Sequence, residues 1–243
     1  MNTRTLLLGL SLVSACGGAE LAPLEESDAE IISGRRDSRP HAVGQVGTRD
    51  GRGVGWFCSG TLIEARLVLT AAHCLFDSRG RRLSGLVFGN EEEVLDVDFS
   101  ATDGYRPGSS GPWNDIALLQ LSDAATTAPI PIARTSPRAT QRVSVVGYGV
   151  TRATGPHTGV GGGTRRSATI SLSAVEEREL YYEAEPRGAC YGDSGGPLIL
   201  RSGGRERVVG VTSRGTQVDC QGTEIATRVD AYADWIDRNL EGR

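Results

Sequence analysis

Apolar residues along this chain fall in short runs, each bounded by glycine, proline, aspartate, asparagine or serine. That spacing predicts strands over Val43 to Val46, Phe57 to Ile63, Arg66 to Thr70, Leu86 to Phe88 and Val94 to Phe99, with Asp115 to Leu121 closing them into an antiparallel barrel or sandwich. The second half repeats the habit with Val143 to Val146, Thr169 to Leu172, Leu180 to Tyr182, Pro197 to Leu200, Val208 to Val211 and Ile225 to Val229. One amphipathic helix is predicted at about Ala231 to Leu240. A chain of 243 residues with 38% hydrophobic content can bury a sizeable core, and 33 glycines favour β structure with many turns.

The start of the chain reads differently. Residues 1 to 16 have a basic start at Arg4, an apolar run from Leu6 to Val13, and small residues before Cys16: an export signal too short to remain as a membrane anchor. Val13-Ser14-Ala15-Cys16 is similar to a bacterial lipobox, whose cysteine is acylated; the alternative is a plain secretory signal cut nearby. The expected places are therefore the bacterial cell envelope, as a lipoprotein, or the medium after release. Residues 17 to 30 are acidic and lack aromatics, as expected of a solvated linker or propeptide before a domain at 31 to 243.

Net charge changes little in this picture. The formal value of −4 arises in the first thirty residues, which hold Glu20, Glu25, Glu26, Asp28 and Glu30 against Arg4 alone. The remainder is balanced, so no nucleic-acid partner and no anionic membrane surface are expected. All 26 basic residues are arginine, a composition that a GC-rich genome explains. No metal cluster, phosphate loop or nucleotide fingerprint appears, and no cofactor is expected. Glu91-Glu92-Glu93 reads as a solvated turn in preference to a calcium loop.

Chemistry concentrates between Cys190 and Pro197, in Cys-Tyr-Gly-Asp-Ser-Gly-Gly-Pro. A serine hydroxyl is a poor nucleophile at neutral pH and needs a base beside it and fixed N–H donors facing the charge that develops. Glycines 192, 195 and 196 let the backbone bend sharply around Ser194, so that the N–H groups of Gly192 and Ser194 can share one small cavity. Two other stretches supply the missing parts. Thr70-Ala71-Ala72-His73-Cys74 places a histidine beside a cysteine after an apolar run, and Asp115-Ile116-Ala117-Leu118-Leu119 opens a buried strand with a carboxylate.

In the order His, Asp, Ser, these segments resemble the chymotrypsin-like and trypsin-like serine endopeptidases, and the chain is similar to an exported bacterial member. Phe57 to Cys74 follows the family pattern without a gap, Ile31-Ile32-Ser33-Gly34 looks like its mature N-terminus, and the likeness runs to the chain's end. The resemblance implies two packed six-stranded β-barrels, with His73, Asp115 and Ser194 in the cleft between them and an oxyanion hole made by Gly192 and Ser194. It implies disulfides Cys58 to Cys74 and Cys190 to Cys220, leaving Cys16 over. A third bridge common before the position of Arg187 is missing, so the stretch Ser173 to Glu185 is expected to be less constrained. Gly104 to Trp113 and Thr154 to Gly163 become exposed loops, with His157 and His41 structural or solvated. The family's activation cut falls between Glu30 and Ile31, freeing an ammonium group to pair with Asp193; glutamate before the bond points to an activating protease other than a trypsin-like one.

Specificity departs furthest from the pattern. Gly188 stands where trypsins carry a pocket-floor aspartate, followed by Ala189, which removes simple selection of Arg and Lys. Ser213, Arg214 and Gly215 are expected to offer an edge strand to a peptide or protein substrate, with Gly215 leaving the mouth open. Arg214 replaces a common tryptophan and is free to pair with Glu224 or to meet acidic substrate residues. Glu224 aligns with the pocket wall and faces either inward or solvent. The expected preference before the scissile bond is an aromatic or large apolar residue, with lysine or arginine accepted if Glu224 faces inward. The other function class is a catalytically silent binding or adhesion module on the same fold.

Overall fold

Every predicted run forms a strand, and most extend beyond it, because hydrogen-bonded ladders continue past the last apolar residue. The computed structural model describes residues 31, 34–37, 42–108 and 114–241. The first half holds β1 (Arg35–Arg36), β2 (Val43–Asp50), β3 (Gly53–Glu64), β4 (Leu67–Thr70), β5 (Leu86–Gly89), β6 (Val94–Thr102) and β7 (Ala117–Leu121). The second holds β8 (Arg142–Gly147), β9 (Arg152–Gly155), β10 (Thr158–Val160), β11 (Arg166–Val175), β12 (Glu179–Glu183), β13 (Pro197–Ser202), β14 (Arg205–Gly215) and β15 (Thr223–Arg228), before helix α1 (Ala233–Glu241).

Strands β2-β3-β4-β7-β6-β5 close into one antiparallel barrel. Strands β8-β11-β12-β15-β14-β13 close into a second through the β13–β8 pairing, and β1 adds to the edge of β11. The fold is thus the expected pair of six-stranded barrels. Strand β11 shows why: Ala168, Ile170 and Leu172 are buried while Thr169, Ser171 and Ser173 face out, the period of two that a barrel wall imposes. Val43, Val46, Leu62, Val68, Leu69, Phe88 and Leu118 fill the first core, each contributing about 1.5–3 kcal/mol by burial. Trp235 and Ile236 of α1 join that same core, so the end of the chain folds back onto it.

Three expectations change. Thr154 to Gly163 is not simply an exposed loop: β9 and β10 pair as a hairpin, with His157 at its turn at φ +56. The stretch around Ser173 to Glu185 is not loosely held without the third bridge, since β12 pairs with β11 and β15 and buries Leu180 and Tyr182 completely. Helix α1 begins at Ala233 because Val229–Tyr232 forms a 3-10 turn first. Residues 109 to 113 of the other loop, like His41, Cys16 and Glu30, lie outside the described residues.

Candidate active site

Strand pairing, which sequence spacing does not reveal, brings His73 to Asp115. Strands β4 and β7 run antiparallel with Thr70 opposite Ala117, so the residues just after β4 and just before β7 emerge at one rim of the first barrel. His73 follows β4 in a 3-10 turn, Ala72–Leu75, held by the Cys58–Cys74 disulfide to β3. Its backbone N–H donates to Asp115 Oδ1 at 2.9 Å, and its Nδ1 lies 2.8 Å from Asp115 Oδ2. Ser213 Oγ donates to Asp115 Oδ2 at 2.5 Å, while Thr227 Oγ1 donates to the Asp115 carbonyl at 2.9 Å.

The charges respond to this arrangement. Burial pulls the His73 imidazole down, but the Asp115 charge and hydrogen bond outweigh it and hold the pKa above the ordinary 6.5. Burial pushes Asp115 up, and the His73 charge together with hydrogen bonds from His73 and Ser213 outweighs that, leaving the carboxyl below its ordinary value. An ionised Asp115 beside a proton-accepting imidazole is the arrangement a general base needs.

Ser194 lies in the turn leading into β13 and, with His73 and Asp115, lines a cleft of about 510 Å³. Its Oγ makes no hydrogen bond among the described residues, and His73 Nε2 lies 3.7 Å from Cys74 Sγ. Asp193 N donates to Cys190 O at 3.0 Å, closing a turn in which Gly192 sits at φ +96, a conformation only glycine adopts without strain. The N–H groups of Gly192 and Ser194 donate to no protein acceptor among the described residues, an unusual state for two amides beside one hydroxyl. Gly195 has no room for a side chain, because a Cβ there would lie 2.1 Å from Thr70 Oγ1.

Asp193 is fully buried and accepts Gly149 N at 2.7 Å and Cys190 N at 2.9 Å. Burial raises its carboxyl from 3.8 to about 6 against those two bonds. The folded chain therefore holds a proton there that the unfolded chain has released, and this group's contribution to stability falls as pH rises from about 4 to about 6.

The other site residues separate into those in the cleft and those outside it. Ala189, Ser213, Arg214, Gly215 and Glu224 line the cleft, and the Cys190–Cys220 disulfide ties its two walls. Gly188 is buried beside the wall, where a Cβ would lie 2.4 Å from Ala184 Cβ. Arg214 does not reach Glu224: its guanidinium donates to Glu179 Oε1 at 2.8 Å, and Tyr181 OH holds the other oxygen of Glu179 at 2.6 Å. Glu224 faces inward, only 5% exposed, over the bare backbone of Gly215, and no protein group among the described residues pairs with its carboxyl. Burial first, and the Asp193 charge second, raise it to about 8. Ile31 is fully buried and does not line the cleft. The run Glu91-Glu92-Glu93 is a turn in which Asn90 Oδ1 accepts the amides of Glu92 and Glu93, and each of the three carboxylates bonds a protein group: Arg165 for Glu91, Thr127 for Glu92, Thr126 for Glu93.

Residues 31–236 match the family model described as Trypsin. The chain belongs to the trypsin family. This trypsin-family chain is 27% identical over 259 residues to azurocidin from Homo sapiens, covering 98% of its own length and 94% of that protein. It is 28% identical to chymotrypsin-like elastase family member 1 from Bos taurus, covering 88% and 91%. A solved structure of human heparin binding protein superposes with a TM-score of 0.68 at 25% identity, covering 86% of this chain and 96% of that one.

Sequence reading of this trypsin-family chain missed Thr227 and Ser59, whose hydroxyls touch the site only through strand pairing. It also set His157 aside, yet the His157 ring packs 5.2 Å from that of Tyr191 at the rim of the cleft. No periodicity marks such residues, because their neighbours are distant in the chain.

Proposed function

We propose that this protein is a serine endopeptidase working through an acyl-enzyme. Ser194 attacks the scissile carbonyl as His73 takes its proton, His73 returns that proton to the leaving amine, and Asp115 orients the imidazole and stabilises its charged form. The Gly192 and Ser194 N–H groups receive the oxyanion. The observation that carries this reading is a His–Asp pair and an unbonded serine hydroxyl lining one cleft, with two unused amides in the turn that carries the hydroxyl. A loose serine–histidine geometry fits a substrate-free site, since catalytic hydrogen bonds tighten when substrate binds. Arg214 and Gly215 pair with β15 on one side, Ser213 falls in a bulge, and the β13 pairing ends at Val211, which leaves an edge for a peptide. A serine-directed phosphonate should label the protein once, at Ser194, and Ser194→Ala should abolish labelling; labelling elsewhere would overturn the assignment.

A second reading, a silent binding or adhesion module, draws on the lack of a Ser194–His73 hydrogen bond and on the likeness to human heparin binding protein. It expects no labelling at all, so the same experiment separates the two.

Glu224 sets the proposed preference. Near neutral pH its raised pKa keeps the carboxyl largely protonated, and the cleft suits an aromatic or large apolar side chain. Above about 8 the carboxylate suits lysine or arginine. The ratio of kcat/KM for matched arginine and phenylalanine substrates should rise by about tenfold or more between neutral and alkaline pH, equivalent to only ~1.4 kcal/mol. Titration of His73 cancels in that ratio. Glu224→Gln should flatten it, and a ratio equally pH-dependent in the variant would sink the assignment.

Cleavage before Ile31 supports activation on physical grounds. Ile31 is a β-branched residue at φ +50, a strained conformation that a cut before it relieves, and the freed ammonium would neutralise the buried Asp193. If Cys16 is acylated during export, the same cut by a protease accepting Glu30 detaches the enzyme from the envelope. Intact-mass analysis of the active form should begin at Ile31 without an acyl chain; full activity in acylated protein overturns the link.

A further inference from the structure

The turn carrying Ser194 belongs to the second barrel, yet one side of it is held from the first. Ser59, on β3, is fully buried. Its backbone N–H donates to Ser194 O at 2.8 Å and its carbonyl accepts Thr70 Oγ1 at 2.8 Å. Its hydroxyl does two more things, donating to Gly192 O at 2.9 Å and accepting Tyr148 N–H at 3.1 Å. The Gly192–Asp193 peptide is thereby fixed at both ends, because its N–H already donates to Cys190 O at 3.0 Å. What remains unbonded at Gly192 is its own N–H.

We propose that Ser59 is a positioning residue for the oxyanion hole. Its hydroxyl anchors the Gly192 carbonyl to the rigid first barrel and so sets the direction of the Gly192 N–H. This rests on the serine-hydrolase reading. The physical reason is preorganisation: a donor helps the developing charge only if it needs no reorientation during reaction. The packing leaves little room for substitutes, since a Cβ on Gly147 would lie 3.2 Å from Ser59 Oγ. Removing the hydroxyl leaves a part-buried carbonyl and a buried amide without that partner, which frees the turn to shift.

The test uses the processed enzyme with Ser59→Ala and, as a second variant, Ser59→Gly. For turnover per phosphonate-titrated site, kcat should fall about tenfold or more with KM little changed, less than the 10² to 10³ lost with a whole donor. Affinity for a peptidyl boronate, which forms a tetrahedral adduct, should fall in parallel, while affinity for an uncleavable reduced-bond peptide should hold. A purely structural role would lower the yield of titratable sites and leave kcat per site intact, and that result overturns the proposal. Hydrogen exchange at the Tyr148 amide gives a readout independent of turnover. Exchange about tenfold faster in either variant supports the anchor, and unchanged protection overturns it. A parent enzyme with no turnover would count against the hydrolase reading alone, since exchange still decides the Ser59 contact.

Discussion

Ser194→Ala should lower kcat by about six orders of magnitude while KM for a good peptide substrate changes little. The expectation follows from what the variant keeps. The Gly192 and Ser194 amides belong to the backbone and survive, as do the His73–Asp115 pair and the edge at Ser213 to Gly215, so the proposed substrate binding and charge stabilisation should remain. What disappears is the hydroxyl proposed to form the acyl bond. Residual turnover of about 10³ to 10⁴ over water is the signature of the remaining hole. On the proposed mechanism Ser194 and His73 act as one unit, so adding His73→Ala to Ser194→Ala should cost almost nothing further. Steady-state kinetics on one chromogenic peptide checks both statements; a single variant within about a hundredfold of the parent would place the nucleophile elsewhere.

Asp115→Asn should cost about 10⁴ in kcat, with a telling change in pH dependence. In the parent, His73 must lose its proton to act as base, and its pKa is held above 6.5, so kcat/KM should rise with pH through a midpoint above that value. The asparagine removes the charge and the acceptor that raise the imidazole, leaving the burial that lowers it. The acidic limb should therefore move to lower pH even as the plateau collapses. Ser213 Oγ and the His73 N–H would face an amide in place of a carboxylate, favouring the wrong imidazole tautomer. A pH–rate profile of the variant with its midpoint unmoved or raised would contradict the assignment of Asp115.

Strand positions were legible because barrel walls impose a period of two, as β11 shows, and the Ser194 turn because its glycines answer to backbone geometry. The same local logic failed at Arg214. Nothing near it in sequence indicates Glu179 as its partner, which β12, β15 and β14 bring alongside. The orientation of Glu224 was equally open, since a strand residue can face either side and only the placement of Gly215 opposite it settles which. Ser59 carried no signal at all, being one of two hydroxyls, with Thr61, in a mostly apolar strand.

The sequence by itself determined the β-rich character of the chain, the candidate reacting groups and the tightness of the turn that carries Ser194, because alternation, glycine content and residue chemistry are properties of neighbours in the chain; the pair of six-stranded barrels was implied by the family resemblance. Only the tertiary structure decided which groups meet: His73 with Asp115 through the β4–β7 ladder, Ser59 with Gly192 across two barrels, and Glu224 in a buried wall with no partner among the described residues. Such contacts and the pKa values they produce depend on distance and burial, quantities that arise only once strands far apart in the chain have paired.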